Sequence, residues 1–195
     1  MLLKTSLLNN MPVMSLQVGS EIATTSRCLV SPTNLKIIGF ELTGKNLVTR
    51  PSFLRTEDIR ELSNIGFIID SDEECVEIDD VLLIKEIYEL DFSLDGMQVL
   101  DKSGQKLGKI YDTVFATETF TIEQLCIKRP FLKSFSDAEL LIHRNQIIEI
   151  NRDSVIVRNQ TESSDINKSH TVLQNPFRSR RQNSPQTGTI NPSMK

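Results

Sequence analysis

One pattern of apolar and polar residues is written twice in this chain, and the near-constant separation of its copies limits the fold more than any other feature. FLRTEDIRELSNIGFIID (Phe53 to Asp70) aligns with LIHRNQIIEINRDSVIVR (Leu141 to Arg158) at an offset of 88, placing Ile59 on Ile147, Glu61 on Glu149 and Ile68 on Ile156. Upstream, Pro12 to Leu42 aligns with Met97 to Ile127 at an offset of 85, with Gly19 on Gly104, Ile37 on Ile122 and Phe40 on Leu125. Two blocks in the same order argue for an internal duplication, the second copy carrying about three extra residues in its intervening loop. A repeated unit of this size must be one small domain written twice.

Each copy reads as short strands. KIIGFEL and FTIEQLCIK are alternating or continuously apolar and rich in β-branched residues. SPTN (Ser31 to Asn34) and DKSGQ (Asp101 to Gln105) are turn signals. GFIID and SVIVR close the copies as strands, each after a polar stretch long enough for about one helical turn. Thr56 is expected to cap that turn in the first copy, with Glu57 and Asp58 against its first N–H groups. Between the copies, DDVLLIKEIYELDF (Asp79 to Phe92) has helical spacing, with Val81, Ile84 and Tyr88 on one face and Asp79 or Asp80 available as cap. A helix so short must dock on one or both copies to persist. Ser136 and Glu139 fit a capping box in the second copy.

Hydrophobic residues make up 38% of the sequence, low for one globular domain, and a polar tail would account for it. From Thr161 to Lys195 the chain is rich in Ser, Asn, Gln, Thr and Pro and is expected to be disordered. Its basic residues outnumber its acidic ones, although the whole chain carries a net charge of -4. The resulting division is a first barrel over 11–78, a linker helix over 79–92, a second barrel over 93–159 and a tail over 160–195.

The motifs are those of a turn-rich β protein. GQKLGK (Gly104 to Lys109) has three residues between its glycines where a phosphate loop has four, and Ile110 stands where magnesium would need Ser or Thr. DSDEECVEIDD (Asp70 to Asp80) puts Cys75 and Val81 where a calcium loop requires Gly and Glu, so it reads as a solvated acidic loop. Ser103 and Lys106 have the spacing of serine acyl-enzymes, but no SDN or KTG follows. His143 reads as a basic residue edging a strand, and His170 as solvated. Cys28, Cys75 and Cys126 form no CxxC and read as reduced thiols. Asn159 and Asn167 begin glycosylation triplets that carry no meaning without a secretory leader, which MLLKTSLLNN does not resemble. No apolar run reaches the ~20 residues of a membrane helix. The expectations are therefore a cytoplasmic protein with no catalytic, cofactor or metal residues. Arg178, Arg180 and Arg181 are expected at most to give a weak contact with RNA or an anionic surface.

Three stretches carry a family resemblance. GQKLGKI (Gly104 to Ile110), LVSPTNLKIIGFEL (Leu29 to Leu42) and LRTEDI (Leu54 to Ile59) resemble the glycine stretch, turn-and-strand and final element of the PRC-barrel family. The resemblance runs from Met11 to about Asn159. It departs at Ala23, where the second copy has Gly108, and at RNQI (Arg144 to Ile147), which replaces EDI. It implies a mainly β fold of two tandem PRC-like barrels acting as a bacterial-like docking or adaptor module for partner proteins. A ribosome-assembly or rRNA maturation factor is the alternative it raises, and an enzyme with a site between the barrels is a third. Ile59 and Ile147 are expected to plug their barrels as buried residues, each stabilising its own half only.

Overall fold

A computed structural model of the chain describes residues 1–45, 47–129 and 139–158. The chain divides into two units, Met1–Asn159 and Gln160–Lys195, and everything described lies in the first. The expected disorder of the tail, His170, the three tail arginines, the two glycosylation triplets and Ser136 lie outside the described residues.

The chain opens with β1 (Leu2–Lys4) and a 3-10 turn (Thr5–Leu8). The first half then runs β2 (Pro12–Ser15), β3 (Ser20–Ser31), β4 (Lys36–Thr43), β5 (Ser52–Arg55), a 3-10 turn (Thr56–Asp58), β6 (Glu61–Ser63) and β7 (Gly66–Ile69). A 3-10 turn (Asp72–Glu74), β8 (Cys75–Glu77) and helix α1 (Leu82–Leu90) come next. The second half runs β9 (Gln98–Asp101), β10 (Lys106–Ala116), β11 (Thr121–Lys128), β12 (Glu139–His143), a 3-10 turn (Arg144–Gln146), β13 (Ile147–Ile150) and β14 (Ser154–Val157). The fold is mainly β.

Both halves have one strand order. The first reads β6-β7-β2-β3-β4-β5 and the second β13-β14-β9-β10-β11-β12. In each, the outgoing first strand pairs in parallel with the last, Val13 opposite Phe67 and Val99 opposite Val155. All other pairs within a half are antiparallel. Neither half is closed by hydrogen bonds, because β5 and β6, like β12 and β13, are joined by a 3-10 turn instead of a ladder.

The halves meet through equivalent residues. Lys36 pairs with Thr121, which lies 85 positions later. Ile37 N donates to Phe120 O and Ile122 N to Leu35 O, both at 2.8 Å. Leu35 and Phe120 are themselves equivalent, and both take the left-handed conformation, φ 57° and 52°. Reciprocal contacts between matching residues are the mark of a two-fold relation, here inside one chain. Phe120 stacks on Phe115 at 5.9 Å and lies 6.4 Å from both Phe40 and Phe67, so aromatic rings bridge the joint. One core therefore runs through both halves, from Val13, Phe40 and Phe67 to Val99, Phe115 and Val155.

This corrects the expectation of independent halves separated by a helix. α1 lies on one half only, where Ile84 packs with Leu29 and Phe53 in a small second core. Val81, Ile84 and Tyr88 are the docked face, as the spacing predicts. The helix starts later than expected, since neither Asp79 nor Asp80 caps it. Asp79 is held by Lys85 Nζ at 2.8 Å and Asp80 accepts from Glu77 N at 3.0 Å. It ends at Asp91, in the left-handed conformation at φ 50°. The acidic stretch before it is not simply a solvated loop, because β8 within it extends the first half along β5.

Two further expectations change. Thr56 does not cap its turn but begins it, its hydroxyl donating to Ile37 O at 3.2 Å and Ile38 O at 3.3 Å. Glu139 opens β12, and the capping box expected of it with Ser136 falls outside the described residues. Ile59 and Ile147 occupy equivalent positions after their turns but are half-buried at the edge of the core, so neither is a plug. The first ten residues, outside both expected barrels, also have a place. β1 pairs with β10, and Leu8 is buried, its carbonyl taken by the Thr25 hydroxyl. The N-terminal segment thus straps the second half before the first begins.

Candidate functional site

A cleft of about 670 Å³ opens where the β10–β11 turn faces the first half and α1. Its apolar wall is Ile59 from the first half, Leu83 from the helix and Phe120 from the turn. These residues come together because the joint at Lys36 and Thr121 carries the turn over the first half, and because α1 docks beside it.

Both arginines of the cleft are paired with neighbouring carboxylates. Arg55 holds Asp58 with both Nε and Nη2, at 2.5 and 2.7 Å, and reaches Glu57 from Nη1 at 2.6 Å. The bidentate hydrogen bond to Asp58 holds the guanidinium above its ordinary range. Arg60 is paired with Asp70 at 2.6 Å, outside the apolar wall. Leu83 is 52% exposed although it lies beside apolar neighbours.

A smaller cavity of about 260 Å³ lies between the N-terminal strap and the start of the second half. Its charges are used internally. Asp112 accepts from Thr5 Oγ1 at 3.1 Å and from Ser6 N and Oγ at 3.2 and 2.8 Å. Arg27 pairs with Asp91 at 2.7 Å and lies over the Tyr88 ring at 5.5 Å.

The residues weighed for chemistry stay apart. Burial pushes the Cys28 thiol up to about 12 and Cys75 to about 11, so both are protonated at neutral pH and unreactive as nucleophiles. His143 is a structural cap: its Nδ1 accepts from Asn145 N at 3.3 Å while Gln146 Oε1 accepts from His143 N at 2.9 Å. Ser103 donates to Asp101 at 2.6 Å within the β9–β10 turn, and Lys106 begins β10. Among the described residues no group of three His, Cys, Asp or Glu side chains is placed to hold a metal. Among the described residues no helix is long and apolar enough to cross a membrane. The cleft itself was not visible in the sequence, since Ile59, Leu83 and Phe120 belong to three different patterns.

Residues 86–163 match the family model of the PRC-barrel domain, which covers the end of α1 and the second half. That stretch carries the domain, and the first half lies outside the match. Among solved structures, one described as a 16S ribosomal RNA processing protein, RimM, from Pseudomonas aeruginosa is similar at 14% identity. The likeness covers 72% of this chain and 99% of that one, with a TM-score of 0.28. No curated protein matches the chain at a significant level.

Proposed function

We propose that the protein is a non-enzymatic docking module of the cytoplasm, holding a partner protein in the cleft between its halves. One observation carries the reading. Both arginines of the cleft, Arg55 and Arg60, are already paired with neighbouring carboxylates, while Ile59, Leu83 and Phe120 remain in its wall. Such a surface suits an apolar side chain of a polypeptide better than a phosphate or a metal, which would need unpaired charge.

The test is affinity capture from the native host with the full chain and with Leu83→Glu, the fold of the variant checked by circular dichroism. A partner retained by the full chain and lost with Leu83→Glu is expected. The same set of proteins on both would overturn the reading. Cosedimentation with ribosomal subunits, unaffected by Leu83→Glu, would replace it with an assembly-factor role.

A further inference from the structure

The two halves share a strand order but not their outer edges. In the first half β5 is sandwiched, with β4 on one side and β8 on the other. Phe53 at its centre lies opposite Val76 of β8 and 5.1 Å from the Tyr88 ring of α1, and is fully buried. In the second half β12 pairs with β11, and no strand lies along its other edge among the described residues. Leu141, the equivalent of Phe53, is 56% exposed. An unpaired edge of this kind offers backbone donors and acceptors to an added strand.

The first half also shows what chemistry fits such an edge. β8 runs antiparallel to β5, with Ser52 opposite Glu77 and Leu54 opposite Cys75. The acidic run Asp72, Glu73, Glu74 therefore enters beside Arg55. At the matching end of β12 stand His143 and Arg144. Arg55 has two carboxylates of its own, Glu57 and Asp58, but their counterparts here are the neutral Asn145 and Gln146. Among the described residues Glu123 alone faces the pair, 3.7 Å from His143 Nε2 and 3.6 Å from Arg144 Nη1. That end of the edge carries fewer carboxylates than its counterpart at Arg55, and the apolar Leu141 lies next along it.

We propose that the open edge of β12 accepts an extended segment of a partner protein, acidic where it passes His143 and Arg144 and apolar where it crosses Leu141. The segment adds antiparallel to β12, as β8 does to β5. This surface is separate from the cleft and does not depend on it.

The probe is a fluorescent peptide with the sequence of residues 70–78 of this chain, carrying Cys75→Ser to prevent oxidation, titrated against the full-length protein by anisotropy. Saturable binding is expected, weakened about tenfold or more by Leu141→Lys and by His143→Glu, and by neutralising the peptide's acidic residues. Binding should be unchanged in Leu83→Glu, which separates this surface from the cleft. No saturation at ~1 mM peptide, or equal binding to the wild type and both edge variants, would overturn the proposal. Using two variants on one edge keeps the result readable if either alone disturbs the strand.

Discussion

Phe53 of β5 is buried under a strand and a helix, while its equivalent on β12, Leu141, is exposed and no described strand pairs along its outer edge, although both strands occupy the same place in the same strand order. The difference comes from the route the chain takes on leaving the first half. After β7 it returns through β8 and α1 to cover the sheet it has just left. The comparison teaches that a shared topology fixes the inner core but leaves the outer surface to segments outside the repeat. The outer surfaces can therefore diverge between the halves without any change to their pairing.

Truncating the two equivalent residues should give very different losses of stability. Phe53→Ala removes a fully buried ring from the small second core and should cost about 3–5 kcal/mol. Leu141→Ala removes a mostly exposed side chain and should change stability by only ~0.5 kcal/mol. Chemical denaturation of the two variants is the measurement. Similar losses would mean that Leu141 is covered in solution, and the open edge with it.

A second contrast lies at Ala23 and Gly108, which pair with Val13 and Val99, the second residues of β2 and β9. Gly108 has φ 152°, and a Cβ there would sit 2.3 Å from the Lys128 carbonyl. Gly108→Ala should thus cost about 2–4 kcal/mol through backbone strain and displacement of β11. Ala23→Gly asks for no such conformation and should cost only about 0.5–1 kcal/mol. Thermal melts of the pair sharpen the comparison, because equal effects would mean that the strands bend alike in both halves.

Much of this architecture was legible in the sequence. The alternation in KIIGFEL and FTIEQLCIK marks β4 and β11, and the 3.6-residue spacing of Val81, Ile84 and Tyr88 gives the docked face of α1. The joint was not legible. Leu35 and Phe120 take the left-handed conformation without the glycine that would advertise it, stabilised by hydrogen bonds from the other half. The N-terminal strap was equally hidden, since three residues pairing with a strand more than a hundred positions away leave no periodicity. Ile59 was expected to be buried because the repeat shows only that a position is apolar. Its neighbours across the cleft come from α1 and the β10–β11 turn, and they leave it half covered. A site assembled from such distant pieces has no local motif to find.

The smallest expected difference concerns the first hairpins. Ser15 and Asp101 end equivalent strands and are both buried. Ser15 Oγ accepts one hydrogen bond, from Val18 N at 3.3 Å. Asp101 Oδ1 accepts three, from Ser103 Oγ at 2.6 Å, Ser103 N at 2.8 Å and Gln105 N at 2.9 Å. The Ser103 hydroxyl, followed by the Gln105 amide, holds the Asp101 carboxyl below the usual carboxylate range. A carboxyl with a depressed value in the folded state favours folding when ionised. Its contribution is complete above the unfolded value of about 4 and is lost as the pH falls through the lower, folded one. Ser15 does not titrate, so acid should loosen the β9–β10 hairpin before the β2–β3 hairpin. Hydrogen exchange of Gln98–Ala116 against Pro12–Ser31, followed from pH 5 down to about 3, reads this directly. Asp101→Asn keeps an acceptor at the same atom but removes the titration, and should abolish the selective loosening. If both hairpins open together in the wild type, or the selectivity survives in Asp101→Asn, another carboxylate sets the acid response and the two turns differ only in geometry.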